Sequence, residues 1–309
     1  MQSVFIGEII RQKRLALGLS QEEVCDGICE PATLSRIENG RQTPSRSRLN
    51  ALLQRLDLPD DRYYALVSKN EAEIEALKKE ITACNVFERV NEGFEKLAQL
   101  EAMLEPDDDL GRQFVLRCRA LLGRLDGRFS PDQELEMLMQ AIKLTVPKFD
   151  LDEIADGLYT FDEVKIINQI ASTYSSMNNN KKAADICYQL LRYIRKHYHE
   201  VLTSNGMLPM VLCNYARALD LCGRYEESVD YAEQGRQACI KYGHYHVIPS
   251  CLALYAECCH FMGKDKESIK AYIKSYVLMD ALGDQHNIGI VRAELKKYHD
   301  IDVESLLGF

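Results

Sequence analysis

Two groups of residues have the types and spacing to do recognition chemistry. The first lies in SQEEVCDGICEPATLSRIENG, residues 20–40. On a helix beginning at Pro31, Leu34 and Ile37 share one side, while Ala32, Thr33 and Arg36 share the other. A guanidinium among short neighbours can enter a DNA groove, where it can grip a guanine edge with two parallel hydrogen bonds. The second group is polar: Lys165, Asn168, Gln169, Asn214, Arg217, Tyr255 and Glu257. An extended peptide taken out of water needs partners for its N–H and C=O groups. Asn and Gln each carry a donor and an acceptor, so they suit that task whatever the peptide's side chains. The competing reading is that each of these residues satisfies a helix terminus or solvent.

The elements that must position the first group are legible in its punctuation. Ser20 with Glu23 three residues on makes a capping box, and Gly27 stops the helix so begun. Ile28-Cys29-Glu30 form the turn, and Pro31 sits where a missing N–H costs nothing. Asn39-Gly40 closes the second helix. Such a build, one buried stripe and one stripe of short polar and Arg side chains, is that of a helix-turn-helix; the alternative is a plain helical hairpin. A preceding helix is predicted over Val4–Leu17, with Phe5, Ile9, Lys13 and Leu17 at i, i+4 spacing and Gly18 as its stop. A fourth helix carries Leu49, Leu52, Leu53 and Leu56, and Pro59 closes the unit. Residues 1–60 are therefore predicted to form a DNA-binding domain.

From Arg62 onward no stretch reads as strand. Helical patterns follow one another, broken at short polar turns near residues 106–109, 127–131, 178–180, 223–224, 243 and 263–264. Three segments align, beginning at Asn168, Asn214 and Leu254. In each, a small residue (Ala171, Ala216, Ala256) is followed twelve positions later by another (Ala183, Ser228, Ser268), which lets antiparallel helices approach closely. The steps between them are 45 and 40 residues, longer than the ~34 of a tetratricopeptide repeat. With weaker pairs at 63–104 and 110–146, the expectation is an all-α chain. Its residues 61–309 would form a right-handed superhelix of about five TPR-like hairpins closed by a helix over Asn287–Lys297. First helices of such hairpins line the concave face, which is where the second polar group falls. Leu66, Ile74, Leu77 and Ile81 give the first long helix an apolar stripe suited to packing on a partner or on the hairpins.

Charge separates the two parts. The chain has 309 residues and a net charge of −9. Residues 1–56 hold eight Lys/Arg against six Asp/Glu, and the remainder thirty against forty-one. A polyanion would be met by the N-terminal part and repelled elsewhere. No apolar run approaches the ~20 residues of a membrane helix, and no signal-peptide design opens the chain, so a cytoplasmic protein is expected. Eleven cysteines, odd in number and scattered along helical patterns, argue against a disulfide framework and for small core residues.

SQEEV…ATLSRIENGRQTPS resembles the lambda-repressor-like (Cro/C1-type) helix-turn-helix over residues 6–58. That unit, followed by degenerate tetratricopeptide hairpins, is similar to the RRNPP group of peptide-responsive regulators. ARALDLCGRYEES, just after Asn214, resembles its PlcR-type members. The resemblance implies a cytoplasmic homodimer that binds double-stranded DNA at a palindromic operator and a short signalling peptide in the TPR groove. It further implies that Gln21, Asn39 and Arg41 hold phosphates, that Ala32, Thr33 and Arg36 face base edges, and that Arg14 and Glu38 tie the first helix to the third. The resemblance also implies that Asn168 and Asn214 stand at the positions where that family's asparagines grip peptide backbone. Leu254 stands where a polar groove residue is expected in PlcR-type members.

Other chemistry is weak. His197 and His199, like His244 and His246, are two apart and diverge on a helix, so no metal is expected. Cys25 and Cys29, or the adjacent Cys258 and Cys259, leave room for redox sensing. There is no phosphate-cradling glycine loop, nucleophile elbow or H-E-x-x-H, so neither an enzyme nor a cofactor is expected. The competing function is a TPR interaction adaptor that grips a partner protein, with DNA binding secondary.

Overall fold

The computed structural model describes residues 6–58, 69–197 and 206–307, and among them all regular structure is helical. Two compact units result: Met1–Met177 with Lys196–Val201, and Asn178–Arg195 with Leu202–Phe309.

The first unit opens with four short helices, α1 (Ile6–Ala16), α2 (Gln21–Cys25), α3 (Pro31–Glu38) and α4 (Arg46–Arg55). Ser20 Oγ accepts from Glu23 N at 3.1 Å while Ser20 N donates to Glu23 Oε2 at 2.7 Å, which completes the capping box. Pro31 is at the start of α3, and Ser45 caps α4. Ile10, Val24, Leu34, Ile37, Leu49, Leu52, Leu53 and Leu56 make one core, each no more than 2% exposed. Burying each such side chain is worth about 1.5–3 kcal/mol.

Helix α1 departs from the expected stripe. Gly7, Ile10 and Arg14 face inward, whereas Leu17 is 47% exposed and Ile9 and Lys13 are half-buried; Phe5 lies outside the described residues. The reason is close approach to α3: a Cβ on Gly7 would stand 1.9 Å from the Ile37 carbonyl oxygen. The helix must present its glycine there, and that rotation also brings Arg14 to Glu38.

Next come α5 (Lys69–Val86), α6 (Val90–Met103), α7 (Asp109–Leu125), α8 (Pro131–Thr145) and α9 (Phe161–Ser176). Pro59 and Leu66 lie outside the described residues. Ile74, Leu77 and Ile81 pack with Leu97, Leu100, Phe114, Cys118 and Leu122, so the stripe of α5 is used within the hairpins.

The four-helix domain is fastened to α8 and α9. Arg55, with its side chain 2% exposed, donates through Nη2 to the Thr145 carbonyl (3.1 Å) and to Glu163 Oε1 (3.2 Å), and through Nη1 to the Val24 and Asp26 carbonyls. Gln54 Oε1 accepts from Phe161 N at 2.9 Å. Gly27 (φ +68°) lies so close that a Cβ would fall 1.9 Å from the Thr145 oxygen. The glycine thus ends one helix and admits a neighbouring backbone.

The second unit holds α10 (Asn180–Lys196), α11 (Met207–Leu221), α12 (Tyr225–Tyr242), α13 (Ile248–Phe261), α14 (Asp265–Leu282), α15 (Gln285–His299) and α16 (Val303–Leu307). Helices α11 and α12 pair as one hairpin, and α13 and α14 as the next. The small residues twelve apart serve as expected: Ser228 Oγ donates to the Ala216 carbonyl at 2.7 Å, and Ala256 and Ser268 are fully buried. All eleven cysteines are free thiols, nine of them buried.

Candidate functional site

On α3, Leu34 and Ile37 are buried while Ala32 and Arg36 are exposed and Thr33 is half-buried. The helix is held from behind by a buried ion pair. Arg14 Nε donates to Glu38 Oε1 at 2.6 Å and Nη2 to Oε2 at 2.9 Å, a bidentate pairing that holds α3 on α1. The bond to Glu38 raises the Arg14 pKa above its ordinary value. Arg14 Nη1 also donates to the Leu19 carbonyl at 2.9 Å. The exposed side of α3 that carries Ala32 and Arg36 is thereby fixed in its orientation on α1.

Arg36 and Arg41 are exposed and, among the described residues, form no ion pair. Gln21 and Asn39 differ. Gln21 Nε2 donates to Glu38 Oε2 at 2.7 Å, and Asn39 Nδ2 donates to the Ser35 carbonyl at 2.7 Å. Both amides are engaged inside the domain: Gln21 extends the buried ion pair, and Asn39 caps its own helix.

The second polar group is divided by the structure. In the first unit, α9 carries Lys165, Asn168 and Gln169. Lys165 pairs with Asp162 at 2.8 Å, lies 4.0 Å over the Phe161 ring, and lines a cavity of about 380 Å³ with Asn50, Gln54 and Gln113. Gln169, 7% exposed, donates to Glu134 Oε1 of α8 at 3.2 Å, and Asn168 is 6% exposed. Gln169 is thus spent on the α8–α9 contact.

In the second unit, Asn214 and Arg217 on α11 and Glu257 on α13 line one cavity of about 220 Å³, whose far wall is α15. Arg217 Nη1 donates to Glu257 Oε2 at 3.2 Å, and Tyr298 Oη to Glu257 Oε1 at 3.3 Å. Tyr255 does not join them. It lines a different cleft of about 920 Å³ among α12, α13 and α14, and its hydroxyl donates to Glu267 at 3.2 Å. Two residues along a helix turn a side chain through about 200°, so Tyr255 and Glu257 serve opposite sides of α13. Leu254, 2% exposed, joins the core with Cys213, Ala216, Ala232 and Cys251.

The sequence reading missed Asn287 and Glu294, which complete that cavity from α15. Burial, reinforced by the Glu257 carboxylate, raises the Glu294 pKa. Their i, i+7 spacing on the closing helix, which places them on one face, was the available signal.

Residues 10–62 match the helix-turn-helix family model. No curated protein matches the chain in sequence. Among solved structures, Bacillus thuringiensis PlcR in complex with the peptide PapR7 and DNA is 21% identical, with a TM-score of 0.63 over 94% of this chain and 99% of that one. The same organism's PlcR in its apo form is 20% identical, with a TM-score of 0.58 over 93% and 97%. At the level of the fold, the chain is similar to these two structures, and its own architecture is a helix-turn-helix unit followed by helical hairpins.

Proposed function

We propose that this chain is a transcription regulator whose affinity for DNA is switched by a short signalling peptide. One observation carries the reading. The same chain presents Arg36 on the exposed side of a braced α3, in no ion pair among the described residues, and a cavity between first helices lined by Asn214, Arg217 and Glu257. Residues 1–60 form the DNA-binding domain, and residues 61–309 the peptide-binding and dimerisation domain. Arg36, with Ala32 and Thr33, reads base edges, and Arg41 holds phosphate; Gln21 and Asn39 contribute to the backbone contact once their internal bonds rearrange. Asn214, with Asn287, pairs with peptide backbone, while Arg217 and the acidic Glu257 and Glu294 select its charged groups. On α9 of the first unit, Asn168 and Lys165 offer a separate polar surface for peptide, whereas Gln169 is engaged by Glu134.

The regulator acts in the cytoplasm as a homodimer on a palindromic operator and carries no catalytic activity. Two Arg36-bearing helices then meet half-sites one DNA turn, or a multiple, apart. Peptide shifts DNA affinity only by the difference in its own affinity for the two arrangements of the dimer.

Fluorescence anisotropy of a palindrome from the protein's own promoter, titrated with and without short peptides, tests this. Asn214→Ala is expected to lose the peptide response and keep basal DNA binding. Arg36→Ala is expected to lose about 1–3 kcal/mol at one base pair; equal loss on random DNA would remove it as a base reader. A second reading, an interaction adaptor, is favoured by the 920 Å³ cleft, whose rim carries Arg236, Lys270 and Lys274. Peptide-independent DNA binding together with capture of a protein segment in that cleft would establish it.

A further inference from the structure

Three residues outside both candidate interfaces converge in the second unit. His260 lies near the end of α13, Asp265 opens α14, and His299 ends α15. Nothing in their spacing signals a ligand set, because 260 and 265 face each other across a turn and 299 arrives from a third helix. His260 Nδ1 is 3.3 Å from Asp265 Oδ1, and His299 Nδ1 is 3.9 Å from the same oxygen. One ligand atom from each of the three lies within 4.8 Å of the others.

These distances suit a small cation. A tetrahedral ion with bonds of about 2.0–2.1 Å holds its ligands about 3.3 Å apart. The His260–Asp265 pair is already at that separation, and the His299–Asp265 pair is about 0.6 Å beyond it. Both rings are oriented by other groups. His260 stacks on Tyr298, with centroids 4.5 Å apart and planes at 25°, and His299 stands edge-on to His260 at 5.1 Å. The far nitrogen of His299, Nε2, lies 2.8 Å from the buried Ser268 hydroxyl. Metal-bound histidines are characteristically anchored in this way through the second ring nitrogen, which leaves the other lone pair aimed at the ion. Access is built in as well: the His299 side chain is 4% exposed, His260 26% and Asp265 62%, so the cluster is walled on one side and open at the carboxylate.

We propose that His260, Asp265 and His299 form a binding site for a divalent transition-metal ion of the zinc class, with a fourth position open to solvent. Two imidazoles and one carboxylate suit such borderline ions better than calcium or magnesium, which prefer oxygen ligands. Occupancy ties α13, α14 and α15 together. Because Tyr298 adjoins His299 and donates to Glu257, a bound ion also stiffens one wall of the cavity that Glu257 lines. The site stands independently of the peptide reading.

The test uses the tag-free full chain under reducing conditions, titrated calorimetrically with Zn²⁺ alone, and Co²⁺ as an absorbing substitute. The expected result is one ion per chain at this site, weakened at least about tenfold by His260→Ala and by Asp265→Asn, with Ser268→Ala weakening it about 10–100-fold. Co²⁺ is expected to give visible ligand-field bands without a near-ultraviolet thiolate band. His260 and Asp265 are open enough to solvent for their variants to fold, which far-UV circular dichroism verifies. Absence of Zn²⁺ binding at micromolar concentrations, binding unchanged in both variants, or a thiolate band pointing to the cysteines would overturn the proposal.

Discussion

Loss of Arg55 should disturb the packing of this molecule without touching any candidate binding face. Its guanidinium, 2% exposed, serves the carbonyls of Val24, Asp26 and Thr145 and the carboxylate of Glu163, itself fully buried. Arg55→Ala therefore strands a buried carboxylate and releases three carbonyls at once. Breaking a buried pair by removing one partner costs about 3–5 kcal/mol, because the remaining charge has no water to turn to. Glu163 keeps one bond, since its Oε2 accepts from Thr160 N at 2.5 Å as part of the α9 capping box. That bond does not neutralise it, so a loss of about 4 kcal/mol is expected. Glu163→Gln should cost less, about 1.5–3 kcal/mol, because glutamine can still close the capping box while the charge-assisted bond is lost. The double variant then shows a coupling of about 1–3 kcal/mol. Urea unfolding followed by circular dichroism measures the cycle, and hydrogen exchange at α4 and α9 amides localises it. A loss below about 1 kcal/mol for Arg55→Ala, the level of an exposed pair, or zero coupling would refute the reasoning.

Two further outcomes follow from the same geometry. Gly27→Ala meets both a left-handed backbone (φ +68°) and the Thr145 oxygen, whereas Gly18→Ala meets only φ +70° in open space. The second is expected to cost about 1–2 kcal/mol and the first clearly more; equal melting temperatures would show that the domain is not held against α8. Asp220 is pushed up to about 6, first by burial and then by the Glu257 carboxylate. Between about pH 4 and pH 6 the folded chain then binds more protons than the unfolded one, so this group's contribution falls as pH rises, by on the order of 3 kcal/mol in all. Asp220→Asn should flatten that part of the stability curve, and an unchanged slope would refute the assignment.

Local chemistry explains what could be read without the structure. Capping boxes, a proline at a helix start, glycines after helix ends and paired small residues act over a few positions, so the helix-turn-helix and the hairpins behind it were legible. So were the inward Leu34 and Ile37 and the outward Ala32 and Arg36, since one short helix has one buried face. Where a second helix decides orientation, periodicity misled. The close approach of Gly7 to Ile37 turned α1 away from the Ile9–Lys13 stripe, and Tyr255 went to the opposite side of α13 from Glu257.

The sequence by itself determined the all-helical class, the inward Leu34 and Ile37 of α3, and the charge difference between the N-terminal part and an acidic remainder, because these follow from composition and from neighbours in the chain. Tertiary structure alone decided which polar residues meet. Arg55 finds Glu163 across 108 positions, Asn287 and Glu294 close a cavity begun by Asn214, and His299 joins His260 and Asp265. Each is a meeting of helices whose register depends on how their buried faces pack; spacing such as the i, i+7 of Asn287 and Glu294 shows which residues share a face but not which helix that face meets.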